Sequence, residues 1–234
     1  MTDWLTPLEL EALALSARVA LWSVVCGLPV ALAVAWLLAR VEFPGRSLVN
    51  GLVHLPLVLP PVVTGYLLLL LLGTKGPVGG WLQEAFGITL AFRWTGAVVA
   101  AAVMGFPLMV RAIRLSIEGV DGRMEQAART LGASGPVVFA TVTLPQILPG
   151  VIVGAILAFA KGLGEFGATI TFVSNIPGET RTLSIAIYSM LQTPTGEAAA
   201  IRLTVIAVAL SMLALVASEL LARRAGRRVK GLEG

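Results

Sequence analysis

The chain has 234 residues, 57% of them apolar and only 13% charged, and its mean hydropathy is +0.90. Soluble domains carry about 25% charged residues, and a water-soluble fold of this length could not cover so much apolar surface; a bilayer removes the need to cover it. The formal charge of +4, from 17 basic and 13 acidic residues, is explained below by topology. Membrane lipid is therefore the expected surrounding, and nucleic acid is not an expected partner.

The first eleven residues (MTDWLTPLELE) contain no lysine or arginine and three acids, Asp3, Glu9 and Glu11. A secretory signal starts cationic, so the first apolar run is expected to stay as an anchor. Residues 8–18 (LELEALALSAR) have apolar positions at helical spacing and predict a short helix lying along the outer interface. Five windows are long and apolar enough to span, 19–38, 52–72, 94–113, 151–173 and 203–222. The expected fold is thus an all-α polytopic membrane helix bundle. Between spans, Gly76, Pro77, Gly79 and Gly80 mark a turn. Residues 182–191 (TLSIAIYSML) are apolar but too short to cross, which predicts a re-entrant or surface-lying helix.

Cations set the orientation, because loops on the cytoplasmic side are enriched in Lys and Arg. Arg40 and Arg46 follow the first span, Arg111, Arg114, Arg123 and Arg129 the third, and Arg223, Arg224, Arg227, Arg228 and Lys230 the fifth. The opposite side holds only Lys75, Arg93, Arg181 and Arg202. The amino terminus is expected outside and the carboxyl terminus in the cytoplasm. With no repeat and no low-complexity linker, residues 1–234 read as one domain, its core at about 8–222 and a cytoplasmic loop at 118–149.

Catalytic groupings are missing. His54 is the only histidine and Cys26 the only cysteine, so a zinc site or Cys/His pair lacks partners. His54 is expected to be a polar contact between helices, and Cys26 a small buried hydrophobe. The two aspartates, Asp3 and Asp121, fall outside the spans, which excludes an intramembrane aspartyl protease. The lysines are followed by Gly76, Gly162 and Gly231, never by Ser or Thr, so no phosphate-cradling loop of the ATPase type is present.

Three proline residues, Pro56, Pro60 and Pro61, crowd the second span and remove backbone donors. A membrane tolerates this only where neighbours or water satisfy the freed carbonyls, so this helix is expected to be kinked and to face the bundle interior. In the fourth span, Lys161 and Glu165 lie four apart on one helix face and are expected to neutralise each other or to meet an aqueous cavity. Thr169, Ser174 and Asn175 follow in the same stretch; with Pro56, Pro60, Pro61, Lys161 and Glu165 they form the candidate pathway or gate set. Gly150 and Gly154 have the small-residue spacing that suits helix association.

The loop at 118–149 reads EGVDGRMEQAARTLGASGPVVFATVTLPQILP. Asp121 can cap a helix carrying Met124, Ala127, Ala128 and Leu131 on one side, with Gly132 ending it. This loop is similar to the EAA motif of ATP-binding-cassette importer permeases: Glu-Ala-Ala, three residues, Gly, nine residues, then Ile, any residue, Leu and Pro. Ala127, Ala128, Gly132, Leu144 and Pro145 fall in register with it. Gln126 stands where the family has Glu, with Glu125 one residue earlier, and Val142 replaces Ile. Either Glu125 or Gln126 could then make the polar contact to the ATPase.

Two stretches narrow the resemblance. Residues 43–66 (FPGRSLVNGLVHLPLVLPPVVTGY) and 162–183 (GLGEFGATITFVSNIPGETRTL) look like the molybdate permease subunit of bacterial importers. The resemblance implies a multi-pass protein of the bacterial inner (cytoplasmic) membrane, a homodimer of this chain, two ATPase subunits beneath it and an extracytoplasmic oxyanion-binding protein. It implies no cofactor in this chain, ATP and magnesium being bound by the ATPases, and no enzymatic site of its own. Sulfate, thiosulfate or tungstate are alternative substrates within the class; a stand-alone channel or ion-coupled carrier is the alternative outside it.

Overall fold

The computed structural model describes residues 5–230, with side chains as far as Leu221. Asp3 and the side chains of Arg223, Arg224, Arg227, Arg228 and Lys230 lie outside the described residues. Among the described residues every regular element is helical: α1 (Pro7–Arg40), α2 (Arg46–Val58), α3 (Pro61–Leu72), α4 (Pro77–Phe86), α5 (Trp94–Glu118), α6 (Gly122–Thr130), α7 (Gly135–Val138), a π-helical turn (Phe139–Thr143), α8 (Leu144–Leu163), α9 (Gly167–Val173), α10 (Leu183–Leu191) and α11 (Glu197–Lys230).

Four stretches cross without a break: Pro7–Arg40, Trp94–Glu118, Gly135–Leu163 and Glu197–Leu221. Together the pair α2 and α3 is long and apolar enough to make a fifth, with a bend of 115° at the break between them. The expected separate helix at 8–18 is instead the first part of α1, a single helix of 34 residues. Its start is fixed by Thr6, whose side chain accepts the Glu9 N–H while the Glu9 carboxylate accepts the Thr6 N–H at 2.6 Å, a reciprocal capping box. Glu9 is not a solvated interfacial acid. Its side chain is 0% exposed, and its second oxygen accepts from Arg202 of α11 at 2.9 Å.

Two predicted spans are broken. At 52–72, Leu59 and Pro60 have extended ψ values of 143° and 133°, because a residue before proline is forced out of the helical region, and Pro60 precedes Pro61. The result is a sharp corner rather than a kink, and α2 buries none of its residues against this chain. At 151–173, helix α8 stops at Leu163 and α9 resumes at Gly167, the gap running through Gly164, Glu165 and Phe166. The fourth crossing therefore begins sixteen residues earlier than predicted, at Gly135.

α5 is the centre of the bundle, packed against α1 and α8. Small residues allow this. A Cβ on Gly150 would run into Ser116 and Ala112 of α5, and one on Gly154 would come within 3.1 Å of Met109. Gly105 returns the contact against Ala158 at 3.1 Å. Ala31, Ala35, Leu38, Met109, Ile113 and Ile147 build one core cluster around these contacts. A second joins Val19, Leu68, Ala97, Met104 and Phe172. The apolar segment α10 is packed into the bundle: Leu183 and Ala186 are buried with Ala12 of α1 and Leu203 of α11, and the Leu183 N–H donates to Ser16 at 2.6 Å.

Three smaller expectations change. Of the residues expected to mark a turn, Gly76 is the N-cap of α4 and Pro77, Gly79 and Gly80 lie within that helix. Cys26 is exposed on α1 rather than buried. His54 makes its ring contact to the carbonyl of Asn50, one turn back in α2, not to another helix.

The Glu9–Arg202 bridge ties the first helix to the last. Removing one partner leaves the other charge without its counterion, so Glu9→Ala should lower the stability of detergent-solubilised protein by roughly 3 kcal/mol. The exchange Glu9→Arg with Arg202→Glu should recover part of it, as read by thermal unfolding. Equal losses in both variants would show that the bridge is not what the stability depends on.

Candidate functional site

The loop predicted to carry function forms a compact projection at the end of the bundle where α1 finishes. Asp121 caps α6, accepting the Arg123 N–H at 2.9 Å. The other end closes as a Schellman turn: Ala133 N–H reaches the Ala128 carbonyl at 3.1 Å and Gly132 N–H that of Arg129 at 2.9 Å. This turn requires positive φ, and Gly132 has φ +87°. A Cβ there would meet nothing within 4 Å, so the glycine serves the backbone and leaves the outer surface clear.

Glu125 and Gln126 point to different sides, as neighbours on a helix must, 100° apart. Glu125 is buried and its Oε1 accepts twice, from Arg40 Nη2 at 3.0 Å and from Thr143 Oγ1 at 2.7 Å. Gln126 and Ala127 are exposed and Ala128 is half-buried. Met124 is 44% exposed and Leu131 89% exposed, so with Ala127 they give the outward side of α6 an apolar strip. Leu144 and Pro145 open α8 directly after the π-helical turn. Sequence reasoning missed Arg40 and Thr143. The available signal was the one-residue offset of Glu125, which places it on a different face from the motif's glutamate.

The second candidate region lies where the two broken helices touch. A Cβ on Gly65 of α3 would come within 2.5 Å of the Ala168 carbonyl of α9, and one on Gly167 within 2.8 Å of Pro61. The Pro60–Pro61 corner thus abuts the Gly164–Gly167 gap. Glu165 sits in that gap with its side chain 1% exposed. One of its oxygens accepts from Lys161 Nζ at 2.6 Å and the other from the Ala168 N–H at 3.0 Å, which satisfies a donor at the start of α9. The predicted pairing of Lys161 with Glu165 is present, and the carboxylate has a second, local use. Thr169 is buried on α9, and Thr64 of α3 is buried with a hydroxyl that has no protein hydrogen-bond partner among the described residues.

The remaining candidates are elsewhere. Pro56 lies inside α2, one turn before the corner. Ser174 and Asn175 follow the far end of α9, about 10 Å from Glu165 along seven helical residues. The Asn175 amide is committed, donating to Ser189 at 2.8 Å and accepting from Arg181 at 2.8 Å; Ser174 is exposed, and its carbonyl accepts from the Thr180 hydroxyl at 3.1 Å. Ser174 itself has φ +64°, a costly conformation for a residue with a Cβ.

If Glu165 acts as a local acceptor, shape matters more than charge at one of its oxygens. Glu165→Gln keeps an acceptor for Ala168 and should cost about 1–2 kcal/mol, whereas Glu165→Ala strands both Lys161 and the backbone donor and should cost about 3 kcal/mol or more. Thermal unfolding in detergent measures the difference; identical midpoints would remove the capping role.

Residues 27–227 match the family described as binding-protein-dependent transport system inner membrane component. The chain is 60% identical over 227 residues to the molybdenum transport system permease protein ModB of Escherichia coli K12, covering 95% of this chain and 99% of that one. It is 54% identical over 222 residues to ModB of Haemophilus influenzae, covering 95% and 97%. Against the sulfate transport system permease protein CysT of Escherichia coli K12 the identity is 39% over 200 residues, 86% of this chain and 72% of that one. A crystal structure of a bacterial ABC transporter involved in the import of the acidic polysaccharide alginate contains a chain of the same fold, with a TM-score of 0.73 at 17% identity over 95% of this chain and 82% of that one. With two broken crossings behind a capped surface helix, and with a family match from Gly27 onward over most of its length, the chain belongs to the binding-protein-dependent transport system inner membrane components.

Proposed function

We propose that this chain is the membrane-spanning permease subunit of an ATP-driven importer that carries molybdate across the bacterial inner membrane. The observation that carries the reading is α6. It is capped at Asp121, closed at Gly132, held from beneath by Glu125 and turned outward with Met124, Ala127 and Leu131. Such an apolar strip on a polar loop is a docking surface, and a carrier or channel that works alone has no use for one. The choice of molybdate over sulfate rests on 60% identity to a molybdenum permease against 39% to a sulfate permease.

Two copies of the chain would enclose the pathway, two ATPase subunits would grip the α6 loops, and an extracytoplasmic binding protein would deliver the oxyanion. ATP is bound and hydrolysed by the partner, not here. The gate is assigned to the meeting of the Pro60–Pro61 corner with the Glu165–Gly167 gap. Half-helices that abut can separate without breaking a continuous hydrogen-bond ladder, and irregular backbone inside a membrane is tolerated where it is packed in protein or lines a cavity. A neutralised Lys161–Glu165 pair presents no net charge at the gate, which suits passage better than tight binding of a dianion. Gln126, exposed beside the apolar strip, is the polar contact to the ATPase.

Orientation follows from the cations. A reporter fused after Gly122 should register cytoplasm, and one after Gly79 or Pro194 should register the outside; an external signal at Gly122 would overturn the docking assignment.

Docking is tested at Gly132. Asp tolerates positive φ better than most residues, at a cost of about 1–2 kcal/mol, and the side chain meets nothing in this chain. Gly132→Asp should therefore fold, yet weaken copurification of the ATPase roughly tenfold, the equivalent of about 1.4 kcal/mol. Gln126→Ala should give a smaller loss of the same kind. Parental copurification and transport in Gly132→Asp would remove α6 as the docking element.

A further inference from the structure

α6 is nine residues long, and the one residue it buries is Glu125. Val120 anchors the approach to it in the core, but no apolar side chain of the helix itself is fully buried, Ala128 being half-buried. The connection onward, from Leu131 to Val137, is largely exposed. The middle of this helix is therefore attached to the bundle by a polar contact rather than by packing. That contact is divided between two crossings. Arg40 is the last residue of α1, and Thr143 is the last residue of the π-helical turn that feeds α8.

The neighbouring geometry keeps these two partners in place. Trp36, one turn before Arg40, meets Phe139 of the π-helical turn edge-on at 5.2 Å. The Arg40 guanidinium lies 5.6 Å from the Trp36 ring centre. Arg46 donates from Nε to the Leu38 carbonyl at 3.0 Å and satisfies an acceptor in the last turn of α1. Arg40 is thus held by its own helix and by the ring beside it, so a displacement of Glu125 pulls on α1 rather than on a free side chain. A π-helical turn has weaker geometry than the α-helix around it and marks a segment that can rearrange.

We infer that Glu125 is a positioning residue of the transport cycle: through Arg40 and Thr143 it fastens α6 to the ends of α1 and α8, so that movement imposed on α6 enters the membrane through both helices. The inference rests on the reading of α6 as the ATPase-docking helix. Glu125 does not touch the ATPase or the anion. A charged contact suits this task because it resists displacement in several directions, while its low burial elsewhere leaves the helix free to move as one body.

The test uses the complete importer, permease with ATPase and binding protein, in liposomes, and reads ATP hydrolysed per molybdate imported. Glu125→Ala should copurify with the ATPase as the parent does, while the ratio rises at least about fivefold, the lower range of coupling between linked sites. The exchange Arg40→Glu with Glu125→Arg should restore most of the parental ratio, because the Thr143 hydroxyl can accept as readily as donate. Should Glu125→Ala fold poorly, Glu125→Gln, which keeps the Thr143 contact and loses the ion pair, should raise the ratio to a smaller extent. A parental ratio in Glu125→Ala and Glu125→Gln overturns the inference. So does loss of ATPase copurification in Glu125→Ala with no recovery in the exchange, since that would make Glu125 the direct contact. Gln126→Ala and Gly132→Asp, run alongside, separate the two claims: parental copurification in Gly132→Asp removes α6 as the docking element and the inference with it, whereas parental copurification in Gln126→Ala alone, with a raised ratio in Glu125→Ala, removes only Gln126 as the polar contact and supports the fastening role.

Discussion

Lipid offers apolar side chains almost the same surroundings as a neighbouring helix does, so burial by itself gives little reason for helices to associate in a membrane. What holds this bundle together is how near the backbone of α5 can come to its neighbours. Gly150 and Gly154 of α8 face Ser116, Ala112 and Met109, and Gly105 of α5 faces Ala158 in return. At such distances many weak dispersion contacts add up. α1 lies against the same helix through Ala31, Ala35 and Leu38. Both regions of functional interest hang from this frame: α6 from the end of α5, and the α9 segment from the end of α8.

Polar contacts do a different job. Several of the carboxylates among the described residues join segments that are distant in the chain or close gaps in the backbone. Glu9 reaches Arg202 across 193 residues, Glu125 reaches Arg40 across 85, and Glu179 accepts the Trp94 N–H across 85. Glu165 bridges a break of only a few residues. Glu9, Glu179 and Glu165 each also supply the acceptor that a helix start leaves wanting, at α1, α5 and α9, whereas Glu125 takes two side-chain donors. The scarcity of charge in the composition is thus matched by close use of the charges that remain.

Much of this was legible beforehand. Apolar length predicted five crossings, of which four are single helical stretches and the second is the bent α2–α3 pair; the proline cluster marked that one as irregular, and Asp121 and Gly132 bracketed a surface helix that is indeed capped and closed by them. The pairing of Lys161 with Glu165 followed from spacing alone. What escaped was set by long-range partners. Leu8–Arg18 looked interfacial from its apolar spacing, with Glu9 off that face, and the counterion that buries Glu9 lies in the last helix. Residues 151–173 looked continuous because hydropathy does not register a break at Gly164–Phe166 when the flanking residues are apolar. Cys26 was misjudged for a related reason: in a membrane, apolar surroundings in sequence do not distinguish the lipid-facing side from the core. Whether Glu125 or Gln126 faced out turned on a rotation of one residue about α6, and only its position relative to α1 and Thr143 decides that.

The π-helical turn at Phe139–Thr143 carries a further meaning in terms of register. A π turn is an α-helix holding one residue too many, so this crossing behaves as though a single amino acid had been inserted between Val138 and Leu144. Taking one residue out of that stretch would let the helix heal to ordinary α geometry with no gap to close. The surplus residue is taken up inside the turn, so the segments on either side keep the facing of an uninterrupted α-helix one residue shorter, and α7 with the loop before it would keep its direction. The same deletion made in the regular part of α8, between Leu144 and Leu163, would instead turn everything upstream by about 100° around the axis and carry Thr143 away from Glu125. A one-residue length change is therefore harmless inside Phe139–Thr143 and re-aims the whole projection elsewhere in this crossing.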